Sequence, residues 1–197
     1  ELELTDVKLN YAYGNQFFGD ADITAAMDTW YAGGTEVVFA CGGGIYTSAV
    51  DAAKKVEGAK VIGVDVDQAG VIANYAAGEG ADAATVEGYK ALTVTSAMKG
   101  LYPATYDTLT DVIVNGNWEK YVGKIETLGL VSGTDPEANY VQIPMGDGTQ
   151  WSDSFTQDDY KAMVKDMFDG KITVSNNTSS DVSAADFATV ITVDDQG

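Results

Sequence analysis

Histidine and arginine are absent from this chain, cysteine occurs once, and all 11 basic residues are lysines. Each absence removes a class of chemistry. Without histidine the commonest general base and metal ligand is missing, and without arginine so is the bidentate phosphate clamp. The lysines face 30 acids, for a net charge of -19 over 197 residues. Such a chain cannot neutralise a row of phosphates, the main source of nucleic-acid affinity, so nucleic acid is excluded as a partner. Electrostatic attachment to anionic lipid is excluded for the same reason. A single cysteine makes no internal disulfide. Cys41 closes an apolar strand and reads as a small buried hydrophobe, with no histidine to activate it as a nucleophile. No apolar run approaches the roughly 18 residues of a membrane span. Glu1 to Asn10 reads as folded protein and not as a signal peptide, so export would be directed by residues outside this sequence.

What is present fits an ordinary soluble globule: 45% apolar residues and a mean hydropathy of -0.08. Thr35 to Gln68, TEVVFACGGGIYTSAVDAAKKVEGAKVIGVDVDQ, reads as strand, glycine turn, helix, strand. Val7 to Tyr13 alternates as a strand, and Asp20 or Asp22 caps a helix burying Ile23, Ala26, Met27, Trp30 and Tyr31, stopped at Gly33-Gly34. Strands at Glu36 to Ala40 and Lys60 to Val64 flank a helix from Tyr46 to Val56. Three strands with two helices between them predict consecutive right-handed parallel crossovers.

Ala69 to Gly88, rich in Gly, Ala and acids, reads as an irregular excursion with room for one short helix. A fourth strand is expected over Ala91 to Ser96, then a helix from Pro103 to Asn115 with Tyr106, Leu109 and Ile113 on one face. Lys124 to Leu130 and Tyr140 to Pro144 read as extended. Thr156 and Asp159 make a capping box for a helix carrying Tyr160, Met163, Val164, Met167 and Phe168 inward. Residues 175–197 form a polar acidic tail with weak strand character near Phe187 to Val193 and adjoining sequons at Asn176 and Asn177. The domain reading is therefore one lobe over 1–174 and a tail over 175–197.

In an open α/β sheet, ligands sit beyond the carboxyl ends of the strands. Four sequence features fall there. Gly42-Gly43-Gly44 follows a strand and opens a helix, with Asp65 about 20 residues on, as in a dinucleotide fingerprint. Thr47 stands where the third glycine belongs, so a plain tight turn and a close approach of ligand to backbone amides stay open beside that reading. Asp65-Val66-Asp67-Gln68 fails as a calcium loop, since Ala69 and Ala76 occupy liganding positions. It is unconvincing as a glycosidase pair, because alternation points Asp65 and Asp67 apart. Asp65 alone, with two acceptor oxygens, suits a vicinal diol through charge-assisted bonds of about 1.5–3 kcal/mol each. Phe17 and Phe18, in the loop from Gly14 to Asp20, offer a stacking platform or a hydrophobic staple for the next helix. Lys99, ending the fourth strand, is either surface decoration, a donor to ligand, or a partner for Asp65.

In order along the chain, the turn from Tyr13 to Phe18, the strand and glycine turn from Gly34 to Gly44, VIGVDVDQ from Val61, and LTVTSAMK from Leu92 resemble the basic membrane lipoproteins. These are the purine-nucleoside-receptor-like substrate-binding proteins of ABC importers. GKITV at Gly170 resembles the end of that family. The resemblance spans residues 7 to about 174, and VIGVDVDQ is its most specific element.

The resemblance implies the second lobe of a type I periplasmic-binding fold, a three-layer α/β lobe with a parallel sheet, whose first lobe is absent from the chain. It implies a nucleoside in the interlobe cleft, with Phe17 or Phe18 on the base, Asp65 on the ribose diol, Lys99 completing the polar contacts, Gly42 to Gly44 lining the cleft and Asn15 an added contact. The helix from 102 to 116 would cross to the first lobe, leaving its apolar face without a partner here. Further implications are a binding protein without catalysis or cofactor, an ABC permease partner, and an extracytoplasmic lipid anchor in the full-length protein. A fragment holding half a site is expected to bind nucleosides weakly or not at all. The alternatives are an α/β enzyme holding a dinucleotide at Gly42 to Gly44 and Asp65, and a surface interaction module.

Overall fold

A computed structural model describes residues 6–175 and 191–196. It divides into two compact units, one of Glu1–Phe17 with Val174–Gly197, the other of Phe18–Thr173.

The first unit contains β1 (Val7–Tyr11) and β6 (Ile191–Asp195), paired parallel from Val7 opposite Ile191 to Tyr11 opposite Asp195. The sequence places β1 in the same sheet as the next two strands; it lies instead in this two-stranded sheet. The composition explains the difference. Strands of a parallel sheet covered on both faces need near-continuous apolar character, whereas VKLNY sets Lys8 and Asn10 on one face. An open ribbon tolerates that face, and Leu9 and Tyr11 remain exposed even on the other. The strand expected near Phe187 to Val193 is realised as β6; residues 187–190 and the sequons at Asn176 and Asn177 lie outside the described residues.

The second unit is mixed α/β, with a four-stranded sheet ordered β2 (Val37–Phe39), β3 (Lys60–Asp65), β4 (Thr93–Lys99), β5 (Val141–Gln142). The first three strands run parallel and β5 is antiparallel. Helix α1 (Ala21–Ala32) starts at Asp20, whose Oδ1 accepts the Ile23 amide at 2.8 Å. It ends at Gly33, followed by Gly34 with φ +97°, a backbone that favours glycine. Helices α2 (Tyr46–Ala53) and α3 (Ala69–Ala77) pack with α1 over Val38, Ala40 and Val61. Val50, Val61 and Ile72 are fully buried at the centre of that layer. The Tyr31 hydroxyl crosses it to donate to the Lys60 carbonyl at 2.6 Å, and burial pushes the phenol's pKa well up. On the opposite face of β2, Val37 and Phe39 are about half exposed, so no helix among the described residues buries them.

Two further sequence expectations, the stretch from Ala69 to Gly88 and the inward Phe168, need correction. Ala69 to Gly88 is not an irregular excursion: it forms α3 and α4 (Ala83–Tyr89). Alanine is the strongest helix former, and Ile72, Ala73 and Ala76 fall on one buried face. Gly78 and Gly80, both at positive φ, break the chain between the helices, and Asp82 caps the second through the Thr85 amide. Lys124 to Leu130 contains no strand, and only Val141 and Gln142 of the second extended segment pair with β4. In α6 (Gln157–Phe168) the capping box is present and Tyr160 and Val164 are buried, but Phe168 is half exposed.

Helix α5 (Leu101–Leu109) continues into a π-helical turn over Thr110–Val114. Tyr106, Leu109 and Ile113 line an uncovered face, 59%, 51% and 72% exposed. Inside the π turn, Asp111 accepts from the Lys120 ammonium at 2.9 Å, the Tyr121 hydroxyl at 2.7 Å and the Asn117 and Asn115 amides at 2.7 and 3.3 Å. Lys120 first, then Asn117, Tyr121 and Asn115, hold this carboxyl far below the usual carboxylate range. A depressed folded-state pKa contributes stability above the unfolded value of about 4 and loses it as pH falls through the folded value. The turn from 115 to 121 is therefore expected to stay ordered at pH 4. Asp111→Asn should accelerate amide exchange at Asn115 and Asn117 at neutral pH, and unchanged exchange would show that the carboxylate does not hold the turn.

Candidate functional site

The carboxyl edge of the four-stranded sheet gathers most of the residues singled out from sequence. Asp65 ends β3 in a left-handed conformation, φ +70°, one of two non-glycine residues with positive φ among those described. The Val66 amide donates back to the Val64 carbonyl at 2.8 Å, closing a γ-turn around Asp65. A left-handed γ-turn on a non-glycine residue is strained backbone, which persists only where its surroundings enforce it and which concentrates at functional sites.

Lys99 ends β4 and its Nζ lies 2.6 Å from Asp65 Oδ1. The Lys99 side chain is 66% exposed and that of Asp65 34%. An ion pair this wet contributes about 0–1 kcal/mol, so stability alone gives little reason for the strained turn that presents it. Parallel pairing sets the register, since Asp65 lies opposite Met98, the neighbour of Lys99.

The glycine turn after β2 meets the same edge. It is built from short backbone bonds: Cys41 N to Phe39 O at 3.0 Å, Gly42 N to Ala40 O at 2.8 Å and Ile45 N to Gly42 O at 2.8 Å. None of Gly42, Gly43 and Gly44 has positive φ. A Cβ on Gly43 would meet only Asp65 Oδ2, at an ordinary 3.9 Å. Neither backbone conformation nor packing therefore demands glycine at 43. What its bare backbone provides is clear space directly in front of the carboxylate.

Phe18 pairs with Gly44 in an isolated parallel bridge, so the backbone that carries one aromatic residue is tied to this edge. It is 72% exposed, which removes the staple reading for it. Phe17, 73% exposed, and Asn15, left-handed at φ +57°, belong to the other compact unit. The structure thus brings together Phe18, Gly42, Gly43, Gly44, Asp65 and Lys99 within one unit. Cys41 is corrected: it is exposed, not buried. Ala40 takes the inward place at the end of β2 and alternation turns the next side chain outward.

Two residues of the site carried no role in the sequence reading. Gln68, 6% exposed, donates Nε2 to the Gly43 carbonyl at 3.1 Å and accepts the Val64 amide on Oε1 at 2.9 Å. Ser96, fully buried, accepts the Gln68 amide at 3.1 Å. The signal available was the polar pair itself, since a glutamine at a helix start and a serine inside a parallel strand are buried only when hydrogen-bonded. Asp67 has a local task, with Oδ1 accepting the Ala69 amide at 3.0 Å where α3 begins. Gly148 packs against its carboxylate, which would have to shift to admit a side chain there.

A shallow depression of about 400 Å3 between α1 and α2, lined by Asp20, Asp28, Asp51, Thr24, Ser48 and Tyr75, shares none of these residues. Its polar groups bond to one another or to Lys55, as in Thr24 to Ser48 at 2.8 Å, Tyr75 to Asp51 at 3.0 Å and Lys55 to Asp28 at 2.7 Å. It brings no strained backbone to bear, so the sheet edge is the stronger site. Comparison with protein-family models, characterised proteins and solved structures finds no match to this chain.

Proposed function

We propose that this chain is a ligand-binding lobe of type I periplasmic-binding architecture, from an extracytoplasmic, lipid-anchored protein that delivers a purine nucleoside or related ribose-bearing ligand to an ABC permease. The observation that carries the reading is Asp65, held in a strained turn, ion-paired with Lys99 and facing the bare backbone of Gly43. Chemistry of this kind binds and orients a neutral polyol. With no histidine in the chain, the commonest general base is missing.

Lys99 changes how a diol is held. With the ammonium on Oδ1, the carboxylate keeps Oδ2 for ligand. One ribose hydroxyl donates to Oδ2 and its neighbour accepts from the remaining N–H groups of Lys99, so the diol is shared between the two charges. Phe18 supplies a face for the base. The edge is open, with Phe18 and Lys99 both mostly exposed, whereas a small-molecule site typically buries about 70–90% of its ligand. A second lobe closing over the edge completes the enclosure, by a population shift toward the closed state.

Micromolar affinity needs about 8 kcal/mol. Two charge-assisted bonds of about 1.5–3 kcal/mol each and one stacked base at about 1–3 kcal/mol fall short after ordering costs. Guanosine titrated into the isotope-labelled chain is therefore expected to bind weakly, near millimolar, and to shift the amides of Gly43, Gly44, Asp65 and Lys99. A 2′,3′-dideoxynucleoside should leave them unmoved. Equal shifts with both ligands would remove the diol role, no shift with guanosine would remove the nucleoside reading, and NAD binding in preference to guanosine would favour the dinucleotide alternative.

A further inference from the structure

We infer that Gln68 is the positioning residue of this edge, its amide fixing both the strained Asp65 turn and the glycine turn that faces it. The ligand half of the inference rests on the nucleoside reading; the structural half stands without it. Gln68 is bonded at every polar group. Nε2 holds the Gly43 carbonyl, Oε1 holds the Val64 amide, the backbone amide is held by Ser96 Oγ, and the backbone carbonyl accepts the Ile72 amide at 2.8 Å. One residue thereby ties the turn after β2 and the residue preceding Asp65 through its side chain, and the interior of β4 and the first turn of α3 through its backbone.

The grip on Asp65 is two-sided. Val64 gives its N–H to Gln68 and its carbonyl to the γ-turn amide of Val66. With both groups of Val64 committed, Asp65 has little freedom to relax from positive φ, which is how surroundings sustain strained backbone. The other grip, on Gly43, sets the distance between bare backbone and carboxylate. A side-chain amide offers a donor and an acceptor on one planar group. Glutamate would set an acceptor against the Gly43 carbonyl in a buried position, and methionine would leave both backbone groups unpartnered.

The space for this arrangement comes from Gly63. A Cβ there would stand 2.6 Å from Ser96 Oγ and 2.9 Å from Gln68 Cβ. Glycine at 63 is thus a packing requirement of the Gln68–Ser96 pair, and its φ is not positive.

Gln68→Met and Gln68→Glu in the full chain test the inference by nuclear magnetic resonance, with Ser96→Ala as a milder third variant. The readouts are the Asp65 three-bond amide–Hα coupling and Cα shift, the Gly43 amide shift, the Asn117 side-chain amide as a remote control, and guanosine affinity. Gln68→Met is expected to move the Asp65 and Gly43 signals, leave the Asn117 signal in place, and weaken guanosine about tenfold or more. Gln68→Glu keeps the Val64 bond and should move Gly43 more than Asp65. A purely structural role would lower stability with the Asp65 coupling and Gly43 shift at their wild-type values, and that result in the folded variants overturns the inference. Should Gln68→Met fail to fold, Gln68→Glu and Ser96→Ala give the same reading. Moved Asp65 and Gly43 signals in a chain that never binds guanosine would uphold the positioning role and sink the nucleoside reading alone.

Discussion

Alanine at position 63 is expected to lower the melting temperature of this chain by roughly 6–12 °C. The added methyl would lie 2.6 Å from Ser96 Oγ, 2.9 Å from Gln68 Cβ and 3.0 Å from Gln68 Oε1. Both neighbours are buried and neither is free to swing away, because Gln68 is held by Gly43 and Val64 and Ser96 by the Gln68 amide. Overpacking of this kind costs about 1–3 kcal/mol when neighbours cannot yield, and three atoms inside or at the limit of contact place Gly63→Ala at the upper end. Thermal unfolding followed by circular dichroism measures it. Removing the nearest contact in a Gly63→Ala/Ser96→Ala double variant should recover part of the loss, since residues sharing one contact are energetically coupled. A neutral Gly63→Ala would mean that the space behind Asp65 is not filled as described.

Much of the second unit was legible because its signals are local. The Asp20 cap, the Gly33-Gly34 stop and the Thr156–Asp159 box each sit within a few residues of the bonds they make. Where the answer depended on a distant partner, the sequence was silent or misleading. Nothing within VKLNY says that its neighbour is β6, at the other end of the chain. The alanine-rich stretch after Gln68 carries its helix signal in burial of very small side chains, which a reading by bulky apolar periodicity passes over. Cys41 was misplaced by a single step of alternation, because the outward position falls where the strand gives way to the turn.

The site divides along the same line. Asp65, Lys99 and the glycine turn could be placed at one edge because strand order and direction alone carry them there. Their distances could not, and the 2.6 Å contact between Asp65 and Lys99 changes the chemistry from two free acceptors to one acceptor beside one donor cation. Gln68 and Ser96 could be noticed as a polar pair, but what the Gln68 side chain holds could not be read. Its partners are the Gly43 carbonyl and the Val64 amide, and backbone groups leave no mark in residue identity.

Asp65→Gly is expected to be more stable than Asp65→Ala, the reverse of the usual order between those residues. At φ +70° an alanine Cβ crowds the following carbonyl at a cost of about 1–2 kcal/mol, which glycine does not bear. Both substitutions delete the ion pair to Lys99, an exposed contact of about 0–1 kcal/mol, so that loss cancels in the comparison. Urea unfolding of the two variants isolates the backbone strain. Binding separates from stability in the same pair. Each removes the carboxylate, and losing a charge-assisted bond of about 1.5–3 kcal/mol weakens guanosine roughly 10- to 150-fold. Asp65→Gly would then be a stable chain with a disabled edge, the expected signature of a residue whose strain is maintained for binding. Equal stability of Asp65→Gly and Asp65→Ala would show that the turn stores no strain, and undiminished guanosine binding by Asp65→Gly would remove the carboxylate from the site.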